Sequence, residues 1–254
     1  MRLAWRVVEF QVYHYRRTWQ SSVVGTVVFP VLALLVLGIG VDRLIGASDA
    51  LGGIRYLDFV APAVLAGTAM QVAATEATMP IFVGLRLTRT AEAMLATPIG
   101  PSGLVDGHLL WICLRTATAS LVLFGLSAWL GVFTISTLVP VLGICLLVAL
   151  AHAGPLLAYS VRQDTAYGLV AISRLFVLPM MLGAGTLAPV DLMPPFLAYV
   201  ARATPLWHGA QLCRAAAGAT MAAWTIAVHV GYLLAWAGIG YAFARRTFNR
   251  RLGL

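Results

Sequence analysis

Six long apolar stretches account for most of the 254 residues of this chain. A helix that crosses a bilayer needs about 20 mainly apolar residues, because its backbone polar groups find no water there and must bond within the helix. Only 10% of the residues are charged, too few for a water-soluble surface. The sequence therefore predicts an all-α integral membrane protein with six transmembrane helices. The expected spans are 22–41, 57–79, 109–130, 138–159, 170–188 and 223–244.

The distribution of arginine predicts the orientation in the membrane. Eleven arginines lie at alternate junctions: Arg2, Arg6, Arg16, Arg17, Arg86, Arg89, Arg162, Arg245, Arg246, Arg250 and Arg251. The other junctions carry Arg43, Arg55, Arg202 and Arg214, matched in number by Asp42, Asp49, Asp58 and Asp191. By the positive-inside rule, both termini are expected in the cytoplasm, with the protein in the inner membrane. The net charge of +8 does not indicate nucleic-acid binding, which needs a folded soluble face.

Residue types that carry chemistry are scarce or scattered. The chain has no lysine, so it lacks the residue that reaches nucleotide phosphates in a P-loop. The five histidines do not show metal-ligand spacing, and Cys113, Cys145 and Cys213 form no Cys-x-x-Cys motif. The few acids are also scattered. We therefore expect no enzyme, no metal site and no cofactor in this chain, and free thiols.

The chain reads as one domain with three parts: residues 1–21, the bundle at 22–244, and a basic cytoplasmic tail at 245–254. In the first part, helical periodicity places Arg6, Glu9 and Arg16 on one face and Trp5 and Trp19 on others. This is typical of an amphipathic helix in the lipid head-group layer. A disordered basic tail is the alternative, which the aromatic residues disfavour.

The polar segment at 80–103 lies between spans 2 and 3 and has proline and glycine at both ends. Thr90 is placed to cap a short helix over 91–96, which Thr97 and Pro98 would end. The segment is too short and too charged to cross the membrane. Its apolar residues, including Leu85 and Leu95, would need lipid or another protein as a partner.

Four prolines interrupt the apolar residues between spans 5 and 6 on the predicted external side: Pro189, Pro194, Pro195 and Pro205. The 19 residues from 187 to 205 are too few to cross twice. We expect a half-inserted hairpin of two short helices.

Four short motifs in this order resemble the permeases of the ABC-2 type exporter superfamily. They are Arg86-Leu-Thr-Arg-Thr-Ala-Glu-Ala-Met-Leu-Ala-Thr-Pro98, Gly107-His-Leu-Leu-Trp111, Pro189-Val-Asp-Leu-Met-Pro194 and Thr204-Pro-Leu206 ahead of Arg214. The similarity is greatest to the branch of Nod-factor lipo-oligosaccharide export and daunorubicin-resistance permeases. It covers most of the chain.

The resemblance implies a six-span subunit that pairs with a second permease, as a homodimer or heterodimer, and recruits cytoplasmic ATPases that bind ATP and Mg. It makes the segment after span 2 the coupling helix, with the ATPase contacts Leu85, Arg86, Arg89, Thr90, Glu92, Leu95, Thr97 and Pro98. It also implies an external gate, for which the candidates are Pro189, Asp191, Pro194, Arg202, Pro205, His208 and Arg214. Solvated loop charges explain the charged members equally well. The family often has an acid where His108 stands.

Polar residues inside the predicted spans or at their edges are candidates for the transport path, because they are costly in the membrane unless they are paired or wetted. Glu76 lies near the cytoplasmic end of span 2, and it is either a structural partner of an N-terminal arginine or a transmitter of motion from the coupling helix. His108, Trp111 and Arg115 share a helix face. They line a vestibule for anionic head groups, or Arg115 reaches the interface or pairs with Asp106 or Glu76.

The sequence thus predicts a permease subunit that moves an amphiphilic or lipid-like substrate outward, powered by separate ATPases. An ATP-independent secondary transporter is one alternative, and it would require paired acids or unwound glycines for a coupling ion. A membrane scaffold that only tethers a soluble protein is another.

Overall fold

A computed structural model describes residues 2–45, 51 and 53–253; Asp49, one of the counted acids, lies outside them. Within this part of the chain, six helices are long and apolar enough to cross a membrane, which confirms the predicted number of spans. Spans 1 to 6 are Val24–Val41, Tyr56–Leu87, Gly100–Trp129, Ile135–Ser160, Ala166–Gly183 and Ala223–Leu252. After six crossings the two ends of the chain lie on one side of the bundle, here called the terminal side; the other is the opposite side.

Spans 2, 3 and 6 extend beyond their predicted limits on the terminal side. Span 2 does not end at Pro80 but continues through it to Leu87, with a widened last turn in which the Thr88 N–H donates to the Val83 carbonyl at 2.9 Å. A proline removes one backbone hydrogen bond, which packed neighbours offset in membrane helices. Span 6 continues to Leu252, so the expected tail from residue 245 is the end of this helix.

Span 3 begins at Gly100, whose φ of +63° suits glycine, rather than at residue 109. The polar residues Asp106 and His108 do not end the apolar helix because each has a partner on a neighbouring helix. Asp106 accepts a hydrogen bond from Tyr241 of span 6, and His108 bonds to Gln11.

The N-terminal helix, Arg2–Val23, continues into span 1 without a break, because Val23 has helical backbone angles. It buries Val7 and Gln11 and packs against span 3. The two helices approach most closely at Gly107, where an added Cβ would lie 2.4 Å from the Cβ of Val7. Trp5 and Trp19 are exposed. A location in the head-group layer remains a prediction for this helix.

Span 2 is the buried centre of the bundle, in contact with spans 1, 3 and 4 and with the helix Pro205–Ala216. Alanines along it, such as Ala66 and Ala73, are fully buried and permit close helix packing. Spans 1 and 5 are peripheral, with exposed apolar side chains such as Phe29 and Phe176.

Two short helices follow span 5, as expected for a hairpin: Pro195–Arg202 and Pro205–Ala216. A single turn, Val190–Leu192, precedes them. The second helix packs against spans 2, 4 and 6. Gly209 permits this contact, because a Cβ there would lie 2.2 Å from Val148 of span 4. The depth of the hairpin in the membrane stays a prediction.

Spans 4 and 6 cross at a glycine contact that yields the first test. A Cβ on Gly154 would lie 2.4 Å from the carbonyl carbon of Gly240, which is backbone and cannot rotate away. We expect Gly154→Ala to lower the free energy of unfolding by roughly 1–3 kcal/mol, measured by SDS titration of the purified protein. Gly143→Ala in the same span is the control, because nothing lies within 4 Å of its new Cβ. Equal stability of the two variants would contradict this packing.

Candidate functional site

Glu76 of span 2 is bonded to two residues of span 3. Its Oε2 accepts a hydrogen bond from Trp111 Nε1 at 2.9 Å, and its Oε1 accepts one from Arg115 Nε at 3.2 Å. Trp111 and Arg115 are four residues apart and therefore lie on the same face of their helix. The side chains of Glu76 and Arg115 are only 11% and 6% exposed, so this ion pair is buried.

Arg115 also contacts the N-terminal helix and span 1. Its Nη2 donates to Thr26 Oγ1 at 3.2 Å, and its guanidinium lies 4.2 Å from the ring centroid of Tyr15. The Tyr15 ring in turn packs edge-on against Trp111, with centroids 5.7 Å apart. We call Tyr15, Thr26, Glu76, Trp111 and Arg115 the Glu76 cluster. It joins the N-terminal helix and spans 1, 2 and 3.

The partner of Glu76 is thus Arg115 and not an N-terminal arginine. Asp106, the other expected partner of Arg115, instead faces span 6: Tyr241 Oη donates to its Oδ1 at 2.9 Å, and Arg245 Nη1 donates to Tyr241 Oη at 3.1 Å. The pairing cancels the Arg115 charge, which weakens the expected attraction for anionic head groups. Whether the cluster acts in transport stays a prediction.

His108 is not part of the Glu76 cluster, although it belongs to the same span. Its Nδ1 lies 3.3 Å from Gln11 Nε2 of the N-terminal helix, and both residues are buried. Of the four transport-path candidates, Glu76, Trp111 and Arg115 are therefore bonded to one another. His108 bonds to Gln11 instead.

The segment after span 2 contains one short helix, Thr90–Leu95. Thr90 is its first residue and not its cap: Arg89 precedes it with φ +54°, and the Thr90 hydroxyl lies 3.1 Å from that of Thr88. The predicted capping role of Thr90 is therefore wrong. A left-handed conformation is unusual for a residue other than glycine and is typical of functional or strained loops.

Most of the predicted ATPase contacts are accessible in this segment. Arg86, Arg89, Glu92, Thr97 and Pro98 are exposed, and Thr90 and Leu95 are half-buried. Leu85 is the exception, since it is buried in the core with Ala91, and the expectation of an exposed Leu85 is wrong. Leu85 lies in the widened last turn of span 2. Leu87 is the apolar residue presented instead, at 68% exposure.

Arg86 links this segment to the loop between spans 4 and 5. Its Nη2 lies 2.5 Å from Asp164 Oδ1, and its Nε donates to the Gln163 carbonyl at 3.4 Å. The same loop meets the end of span 6, where Arg251 Nη2 donates to the Arg162 carbonyl at 2.9 Å. The sequence reasoning did not single out Asp164. Its signal is that it is an acid two residues after Arg162, on the side of the membrane where the junctions carry eleven arginines.

The charged members of the predicted gate separate into two groups on the opposite side. Asp191 and Arg202 form an exposed ion pair at 2.6 Å within the hairpin. Arg214 is buried: Nη2 donates to the Gly185 carbonyl at 2.6 Å, Nε donates to the Phe59 carbonyl at 3.1 Å, and the guanidinium lies 3.8 Å from the centre of the Phe59 ring. Arg214 thus fastens the hairpin to the start of span 2.

His208 meets span 6 rather than the other gate candidates. Its Nδ1 lies 2.7 Å from His229 Nδ1, and its ring stacks on Tyr232 with centroids 3.9 Å apart. The sequence reasoning missed both partners, which lie within an apolar span. The prolines delimit the hairpin: Pro189 precedes the turn, Pro194 precedes the first short helix, and Pro205 begins the second.

The Glu76–Arg115 pair generates a double-mutant test. We expect Glu76→Gln and Arg115→Met each to destabilise the protein by about 3–5 kcal/mol, because each substitution leaves the charge of the other residue buried and uncompensated. The double variant should cost less than the sum of the two. SDS titration of the three variants measures the coupling. Additive losses would show that the two side chains do not interact in the membrane.

Comparisons with known proteins agree with this architecture. The ABC-2 type transporter family matches residues 2–217. Nodulation protein J of Rhizobium meliloti (strain 1021) is 25% identical over 239 residues, covering 94% of this chain and 89% of that protein. Nodulation protein J of Rhizobium leguminosarum bv. viciae is 26% identical over 241 residues, with 94% and 90% covered. The chain therefore belongs to the ABC-2 type transporter family and is a multi-pass permease subunit of an ABC exporter.

Proposed function

We propose that this subunit moves an amphiphilic or lipid-like substrate, such as a drug, lipid or lipo-oligosaccharide, out of the cytoplasm or the inner leaflet. Separate cytoplasmic ATPases supply the energy and bind the ATP and Mg. Both termini and the terminal side face the cytoplasm. The eleven arginines at the terminal-side junctions support this orientation, and the relatedness to Nodulation protein J supports the class of subunit.

The observation that carries the proposal is an accessible charged helix attached to the buried centre of the bundle. Arg89 and Glu92 are exposed on the terminal side, one turn beyond the end of span 2. Span 2 contacts spans 1, 3 and 4. A force applied by an ATPase to the helix Thr90–Leu95 therefore acts on the element that most of the bundle surrounds.

The Arg86–Asp164 contact gives the same force a second route. The loop that holds Asp164 connects spans 4 and 5, and it is also bonded to the end of span 6 through Arg251. An exposed ion pair contributes little stability, typically 0–1 kcal/mol. Its value in this proposal is positional, since it keeps the end of span 2 and the loop between spans 4 and 5 together while they move.

A second permease completes the transporter in this proposal. Spans 1 and 5 present apolar side chains outward, including Phe29, Val36, Leu175 and Phe176. These faces fit lipid or another copy of the subunit. A secondary-transport mechanism gains no support from the Glu76 cluster, because its buried acid is paired with an arginine and not with a second acid.

Reversal of one exposed charge tests the ATPase contact. We expect Glu92→Arg to weaken association with the partner ATPase by roughly tenfold to a hundredfold. The new positive charge would face the ATPase surface that is expected to complement the negative charge of Glu92. Co-purification from membranes at fixed detergent and salt measures the association. Asp191→Arg is the matched control, an exposed acid on the opposite side. Undiminished ATPase binding by Glu92→Arg would refute this placement.

A further inference from the structure

A cavity of about 320 Å³ lies beside the Glu76 cluster, between the N-terminal helix and the terminal-side half of span 2. The N-terminal helix supplies Gln11, His14 and Tyr15 to its wall, span 2 supplies Thr75 and Glu76, and span 3 supplies Trp111. Small-molecule sites have volumes of roughly 300–1,000 Å³ and a few convergent polar groups on an otherwise apolar lining. This cavity has that size and that composition.

The cavity continues toward the coupling helix. A second cavity of about 110 Å³ shares Gln11, His14, Pro80 and Val83 with the first and reaches Thr90 and Met94. At the mouth of the first cavity, Thr75 and Met79 are exposed. An occupant of the first cavity is therefore open to the membrane surface at one end and close to the proposed ATPase contact at the other.

The charges around the cavity indicate the chemistry of its occupant. The carboxylate of Glu76 is neutralised by Arg115, so the pair attracts neither an anion nor a cation strongly. Arg16 lines a different groove, with Trp5 and Leu114, on another face of the N-terminal helix. What remains in the cavity carries no permanent charge: the His14 imidazole, an amide, hydroxyl groups, aromatic rings and the unused lone pairs of the paired carboxylate, which has about four acceptor positions.

We propose that this cavity binds the uncharged, hydroxyl-rich head group of the exported amphiphile. Hydroxyl groups of the ligand donate to the Glu76 carboxylate and bond to the Gln11 amide, while Tyr15 and Trp111 provide apolar ring surface. The alkyl chain leaves past Met79 into the lipid. The identification of the ligand as the transport substrate rests on the proposed function. Binding of the ligand to the cavity needs no ATPase.

Binding of chemically matched probes to the full-length subunit in lipid nanodiscs, without ATP or ATPase, tests this proposal. The probes are a radiolabelled dodecyl maltoside, a dodecyl phosphate and a dodecyl polyethylene-glycol ether, which share one alkyl chain. We expect the maltoside to bind about tenfold more tightly than either of the others, the effect of one buried hydrogen bond of about 1.4 kcal/mol. Equal or weaker binding of the maltoside overturns the proposal.

Two variants test the assignment to this cavity. Glu76→Gln leaves the Arg115 charge without its partner beside the cavity, so we expect the preference to shift by at least about tenfold toward the phosphate probe. Thr75→Val removes an exposed hydroxyl from the wall and should weaken maltoside binding several-fold without threatening the fold. Thr118→Val is its control, since Thr118 is also exposed and also donates to its own helix backbone, at 2.8 Å, but lies outside the cavity.

The outcomes separate this proposal from the proposed function. If Thr75→Val and Thr118→Val bind the maltoside equally, or if a folded Glu76→Gln keeps the wild-type preference, the cavity is not the head-group site, whatever drives transport. If the probe preferences follow the prediction but transport proceeds without an ATPase, the site stands and the proposed function fails.

Discussion

The hydrocarbon core of a membrane contains no water, so a charged side chain inside this bundle needs a partner of opposite charge on another helix. The Glu76–Arg115 pair meets that constraint, and its contacts join spans 2 and 3 to the continuous helix formed by the N-terminal helix and span 1. Trp111 and Thr26 occupy further hydrogen-bonding positions of the two charges, and Tyr15 covers the guanidinium. Burying two charges costs free energy that their attraction only offsets, so the pair adds little net stability. Separating them leaves each charge buried alone, which is costly, and the pair therefore fixes the relative positions of its helices.

Both ends of span 2 are fastened to other elements. On the opposite side, Arg214 joins the hairpin to Phe59 near the start of the span. On the terminal side, Arg86 in its last turn meets Asp164 of the loop between spans 4 and 5. Glu76 ties the intervening part of the span to span 3. In the proposed mechanism, a displacement of the helix Thr90–Leu95 is distributed to spans 3, 4 and 5 and to the hairpin through these polar contacts.

The number of spans followed from the sequence because apolar length is a local property. Their limits did not, because Pro80 and Asp106 look like helix ends until their neighbours are known. The face shared by Trp111 and Arg115 was predictable from helical periodicity, but periodicity does not tell which helix lies opposite. The partners of Arg214 and Arg86, 155 and 78 residues away, depend on packing that no local pattern records.

The central claim is that the exposed segment after span 2 receives mechanical work from a separate ATPase. Site-specific photo-crosslinking in intact cells tests it most directly, with the photoreactive residue placed at Leu87, which is 68% exposed, or at Leu192, which is 63% exposed on the opposite side. The account predicts an adduct with an ATP-binding protein from position 87 and none from position 192. An adduct from position 192, or none from position 87 while transport continues, would contradict it.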